Sequence, residues 1–223
     1  MKRQVDIREI SDGKLYGAGD MVKADTGGCA GCSACCRGMG NSVILDPYDI
    51  WRLEGALGLT FEQLLEDKLE LQVVDGIILP NLRMTGPEEA CAFLTGEGRC
   101  GIHSARPGVC RLFPLGRYYE GRDFRYFLQV HECPRENRAK VKVRKWIDTP
   151  GIGVYEDYIR QWHYFLEDVE AILERDGSEE LRRQVNLFLL KLFFAQPWET
   201  EKDFYPQFAE RLRQGKQYAG IAG

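Results

Sequence analysis

Residues 29–36 read Cys29-Ala30-Gly31-Cys32-Ser33-Ala34-Cys35-Cys36. Two-residue spacers let successive thiolates turn toward one centre, and Gly31 with small Ser33 and Ala34 lets the backbone wrap closely around it. Four cysteines in eight residues is a density that packing alone rarely produces. The adjacent pair is a special case. Neighbouring side chains diverge by about 100° in a helix and point to opposite faces of a strand, so Cys35 and Cys36 do not serve one centre equally.

Moving outward, the remaining cysteines are Cys91, Cys100, Cys110 and Cys133, with His103 and His131 close by in sequence. All eight are expected as metal ligands, because the compartment is expected to be reducing. The start, MKRQVDIREISDGKLYG, has a basic head with no apolar run behind it, as a secretory signal would need. The most apolar stretch, 185–195, is broken by Lys191 and is too short to span a bilayer. A cytoplasmic location follows as an expectation, and thiols there read as metal ligands or catalytic groups before disulfides.

The expected fold class is α+β, a small irregular metal-binding cysteine domain with short helices and hairpins followed by a helical subdomain. The corresponding boundaries are an N-terminal segment at 1–24, the cysteine domain at 25–150 and the C-terminal helices at 151–223. With 223 residues, 44% of them hydrophobic, the chain can bury a core without disulfide staples. Asp46 and Pro47 predict a helix start, with a stop at Gly58. Thr60 and Gln63 have capping-box spacing for a second helix. Asp75-Gly76 between apolar runs predicts a hairpin, another is expected to turn at 95–98, and 124–130 predicts a strand.

Beyond 150, Tyr155, Tyr158, Ile159, Trp162, Phe165, Leu166, Val169, Ile172 and Leu173 keep a helical period. Gly177 ends that helix and Ser178 caps the next, which carries Leu181, Val185, Phe188 and Leu192 on one face. Leu187, Leu190 and Phe194 line a second face, expected to be buried or to meet a protein partner. A last helix is expected over about 200–214. The net charge of −4 gives no pull toward nucleic acid, and the basic run at 138–145 reads as a solvated face. Neither nucleic acid nor membrane is expected as a partner.

Spacing bears on the metal. Zinc sites usually take their ligands as separated pairs, whereas a C-x2-C-x2-C run followed by a distant Cys-Pro is how bacterial iron–sulfur clusters are often held. Cys133-Pro134 supplies that Cys-Pro. An iron–sulfur cluster, [4Fe–4S], is therefore preferred over zinc, in one centre or two. Arg37, Arg99, Arg106 and Arg111 lie within four residues of a cysteine and read equally as donors to sulfur or as surface charges. His103 reads as an alternate ligand or a supporting residue; His163 reads as structural.

At these residues the chain resembles the YkgJ-type cysteine-cluster family, whose core is described as chelating zinc or iron. The resemblance rests on Cys29-x2-Cys32-x2-Cys35-Cys36, Asp49-Ile50 with Leu57-Gly58-Leu59-Thr60, and Cys91-Ala-Phe-Leu. Its densest part is Cys100-Gly-Ile-His103-Ser-Ala-Arg106-Pro107-Gly-Val-Cys110-Arg111-Leu-Phe113-Pro114. It covers roughly residues 25–135 and implies metal chelation. One branch of the family is linked to methylation of flagellin lysines, which implies a methyltransferase-like alternative, but no glycine-rich nucleotide loop accompanies it here. Gly17-Ala-Gly19 and Gly151-Ile-Gly153 read as turns. Three functions are thus in play: iron–sulfur electron transfer or redox chemistry, a zinc-stabilised interaction module, and a lysine methylase. No catalytic residue is named, and G-x-S-x-G and H-E-x-x-H are both missing from the sequence.

Overall fold

The structure, a computed structural model, describes residues 6–27 and 32–221. The fold is α+β. Its first part holds α1 (Ile7–Ile10), β1 (Met21–Asp25), α2 (Pro47–Leu57), α3 (Phe61–Asp67), β2 (Leu69–Val74) and β3 (Ile77–Leu82). Next come β4 (Met84–Thr85), β5 (Ala90–Cys91), α4 (Gly108–Leu112), β6 (Leu115–Glu120), β7 (Asp123–Leu128), β8 (Ala139–Lys142) and α5 (Val143–Ile147). Then α6 (Ile152–Asp176), α7 (Glu179–Leu190) and α8 (Phe204–Ala219) complete the chain. The named strands form antiparallel pairs only: β1 with β8, β2 with β3, β4 with β5 and β6 with β7.

Local signals decide most boundaries. Asp46 and Asp49 form a reciprocal capping box at the start of α2, Pro47 occupies the first turn, and Gly58 ends the helix in the left-handed region. Thr60 and Gln63 cap α3 in the same way. Asp75 and Gly76 both take positive φ between β2 and β3, the two-residue turn whose twist matches a hairpin. Ser178 caps α7 through the Leu181 amide. The aromatic stripe of α6 is buried as its period requires, from Tyr155 and Tyr158 through Trp162 and Phe165 to Leu173.

Several expectations need correcting. The hairpin expected to turn at 95–98 is a turn closed by one bridge, Leu94 to Cys100, because Cys91 pairs instead with Met84. The strand expected at 124–130 is β7, ending at Leu128, and its partner β6 was not foreseen. The last helix starts at Phe204 rather than 200. Asp203 supplies the cap, accepting from the Tyr205 amide, and Pro206 then falls in the first turn, where its missing N–H is harmless.

The second face of α7 splits. Leu187 is 57% exposed while Phe194 is buried. The cause is a π-turn over Lys191–Ala195, closed by the Gln196 amide on the Lys191 carbonyl at 2.7 Å. One extra residue in the turn shifts the helical phase and brings Leu192, Phe193 and Phe194 all into the core.

The two parts of the chain share that core. Tyr48 and Trp51 of α2 pack on Phe204 of α8, and Asn186 of α7 reaches the β2–β3 hairpin through the Ile78 amide (2.6 Å) and the Gly76 carbonyl (3.0 Å). Among the described residues no helix is long and apolar enough to cross a membrane.

Arg211 closes the break between α7 and α8. Its guanidinium donates to the carbonyls of Leu192 (2.8 Å), Gln196 (2.9 Å) and Pro197 (2.6 Å) and lies 3.5 Å from the Trp198 ring centre. Burial pushes its pKa down to about 10, while its donors satisfy three carbonyls around the break that follows the π-turn. Arg211→Met is expected to lower stability by roughly 2–4 kcal/mol, since donors to several buried acceptors are lost together. Arg211→Lys should recover only part, lacking the planar fork. Urea unfolding with unchanged m-value would measure both.

Candidate metal centre

Three stretches of chain bring the cysteines together. In the first, a tight turn over Ala34–Cys36 runs into Arg37, which bridges Ala90 in antiparallel register. The Gly38 amide donates to the Glu89 carbonyl at 3.0 Å, and Arg37 pairs with Glu88. That zipper lays Cys36 beside Cys91. In the second stretch, the Leu94–Cys100 bridge and the Gly101 amide on the Phe93 carbonyl (2.8 Å) fold Cys100 back toward Cys91. The third is α4, which carries Cys110.

Together they enclose a cavity of about 160 Å³ lined by Cys32, Cys35, Cys36, Cys91, Cys100 and Cys110. Met39, Met84, Ile102 and Phe113 are among its apolar walls, and Arg99, His103 and Arg106 also face it. Among the described residues its lining includes no Asp or Glu. Cys133 does not line it; that residue is half-buried in the loop after β7. Cys29 lies outside the described residues. His131 is exposed and away from the cavity, and His163 stacks on Tyr119 at 3.5 Å between ring centres. The described cysteines carry no disulfide. Among the described residues, no three Cys, His, Asp or Glu side chains form a finished ligand set about one point.

Four of the cavity thiols, those of Cys35, Cys91, Cys100 and Cys110, are held neutral by their surroundings. Burial pushes Cys91 and Cys100 up, and Cys110 rises by burial and then by the nearby Asp49. Cys35 donates its S–H to Cys36, which raises Cys35 and lowers Cys36. The vicinal pair therefore divides its labour: one thiol donates while the other accepts. His103 is lowered chiefly by the positive Arg106 beside it, which leaves an uncharged imidazole, the form able to bind a metal.

Beneath the cavity, α4 is gripped by residues that sequence reading did not single out for that role. The Gly108 amide donates to Asp49 Oδ1 at 2.7 Å. A Cβ on Gly108 would stand 2.5 Å from the Tyr155 hydroxyl, so only glycine lets α6 approach α4 this closely. Arg111 turns away from the cysteines: it donates to Thr149 Oγ1 at 2.8 Å and faces the rings of Tyr48 and Tyr155. The Trp146 indole donates to the Phe113 carbonyl at 3.1 Å. Asp49 stands at the third position of α2, a pattern that marks helix capping and carries no sign of the contact with Gly108.

Fold and cavity together define a cysteine-cluster domain, with soft thiol donors of the type that bind zinc or iron. Residues 28–134 match the model of the CxxCxxCC family, described as "Putative zinc- or iron-chelating domain". Within residues 28–134 the chain carries a domain of this cysteine-cluster family. No curated protein and no solved structure matches the chain.

Burial, and then the neighbouring Asp46, push Asp49 from 3.8 up to about 7. The folded protein therefore holds a proton there that the unfolded chain releases near pH 4. Stability should fall as pH rises from about 4 to about 7. Asp49→Asn keeps an acceptor for Gly108 and should flatten that slope, whereas Asp49→Ala leaves the Gly108 amide unpaired and should cost about 2 kcal/mol. Denaturant titrations at several pH values would test this; an unchanged slope in Asp49→Asn would refute it.

Proposed function

We propose that this protein is an iron–sulfur protein that holds a [4Fe–4S] cluster in the cysteine cavity and serves in electron transfer or redox chemistry. The observation that carries this reading is the gathering of six cysteines on one cavity of about 160 Å³. A void of about 150 Å³ accepts a molecule the size of benzene, far more than the one-atom space of a tetrahedral zinc ion. The donor chemistry fits the group, since clusters of this kind take four thiolates. The four would come from the cavity cysteines and Cys29, which adjoins them in the chain. Cys133 is left out, and one centre is favoured over two.

Bound there, the cluster would supply a one-electron couple. The chain's own part is to hold and to insulate. Met39, Met84, Ile102 and Phe113 give the cavity apolar walls, which would strengthen charge interactions beside them. The neutral thiols give up their protons on loading, so uptake should acidify a weakly buffered solution and tighten as pH rises.

Protein purified without oxygen is expected to be brown, with iron and acid-labile sulfide in near-equal amounts. Cys91→Ser and Cys110→Ser should each lose most of both, while Cys133→Ser should retain them. A colourless protein with stoichiometric zinc and no sulfide would overturn the iron–sulfur reading. Equal loss in Cys133→Ser would overturn the single-cavity assignment.

A further inference from the structure

The four arginines near the cysteines part company in the fold. Arg37 is paired with Glu88. Arg111 is turned into the core on Thr149. Arg99 faces the cavity from an exposed position. Arg106 differs by its place: it is half-buried in the cavity lining, where its Nε is sealed from solvent with no hydrogen-bond partner among the described residues, whereas the similarly unpartnered Nε and Nη2 of Arg111 lie outside that lining. A buried donor left unpaired costs free energy and calls for an explanation such as an absent ion.

Its backbone is fixed from both sides. Arg106 ends the short turn over His103–Ala105 with φ −48° and ψ 137°, the extended form that a following proline imposes, and Gly108 two residues on is held by Asp49. The positive charge acts on both Cys35 and Cys100. No carboxylate in the described cavity lining competes for it. Four thiolates leave a metal centre with net negative charge, and reduction adds one more.

We propose that Arg106 is the charge-compensating residue of the loaded centre, its Nε–H donating to a sulfur and its guanidinium stabilising the reduced state. This rests on the metal reading above but assigns the role to one arginine of four. It is a positioning and tuning role, read first in the potential of the centre. Arg99, in water and screened by salt, would contribute little.

The test uses full-length protein loaded without oxygen, as wild type, R106Q, R106K and R99Q, with iron and sulfide assayed on each sample before an anaerobic redox titration. R106Q should load as wild type does, yet show the oxidised form about tenfold more favoured at a given poise, a downward shift of about 59 mV for a one-electron couple. R106K should fall between R106Q and wild type, and R99Q should match wild type. An unshifted R106Q, or an R99Q shifted as far, would overturn the proposal. Should R106Q fail to load, R106K decides: normal iron content upholds the charge role, and failure of both overturns it. If the wild type instead holds zinc without sulfide, the iron–sulfur reading fails on that assay alone. Arg106 is then judged by zinc affinity, expected about tenfold weaker in R106Q and largely restored in R106K; unchanged affinity would reject the role.

Discussion

One carboxylate ties the architecture together. Asp49 caps α2 from inside its first turn and, with its other oxygen, receives the amide that opens α4. The first bond belongs to a helix of ordinary strength; the second joins segments 59 residues apart in the chain. Because α4 spans only five residues, it has no stability of its own. Its position is borrowed from Asp49 below, from Tyr155 beside it, and from Arg111 and Trp146 at its far end. The placement of Cys110 is therefore a property of the hydrophobic core, and the cavity inherits its shape from helices that contribute no cysteine.

The cavity's charge follows a related logic. Burial holds Cys91, Cys100 and Cys110 neutral, and the ionisable groups beside the cysteines in its described lining are arginines and an uncharged histidine. Such a site is poorly suited to hard cations, which want carboxylate and carbonyl oxygens. It suits soft metals that displace thiol protons and leave a net negative centre for the arginine to meet. The zinc or iron of the family description and the thiol-rich lining thus agree in chemistry.

How much of this was legible in the residues depended on how local each signal was. Asp46, Thr60 and Ser178 announced helix starts because a cap and its amide lie within three residues. Asp75-Gly76 announced a hairpin for a similar reason. The type of the site was equally plain, since cysteines at such density have few other uses. Which cysteines line the cavity was not, because Cys36 comes beside Cys91 through a bridge between Arg37 and Ala90 that no local pattern encodes, and Cys133, which does not line it, has no sequence feature that sets it apart. The π-turn was hidden as well: Leu-Phe-Phe at 192–194 fits an ordinary buried helix, and only the packed core reveals the extra residue. Gly108 carried a faint signal, a small residue directly after a proline and two before a cysteine.

The β1–β8 ladder, which pairs Met21 with Lys142 and Val22 with Val141, bears on the order in which the protein is made. These strands flank the whole cysteine region, and contacts of such sequence separation form late because a long loop must first be closed. During synthesis, Cys29 to Cys133 leave the ribosome before the strand that closes the domain around them. The thiols therefore pass through a period in which they are reachable by any donor or oxidant in the cell. The cysteine region is thus complete in sequence before the four residues of β8 can close the ladder around it.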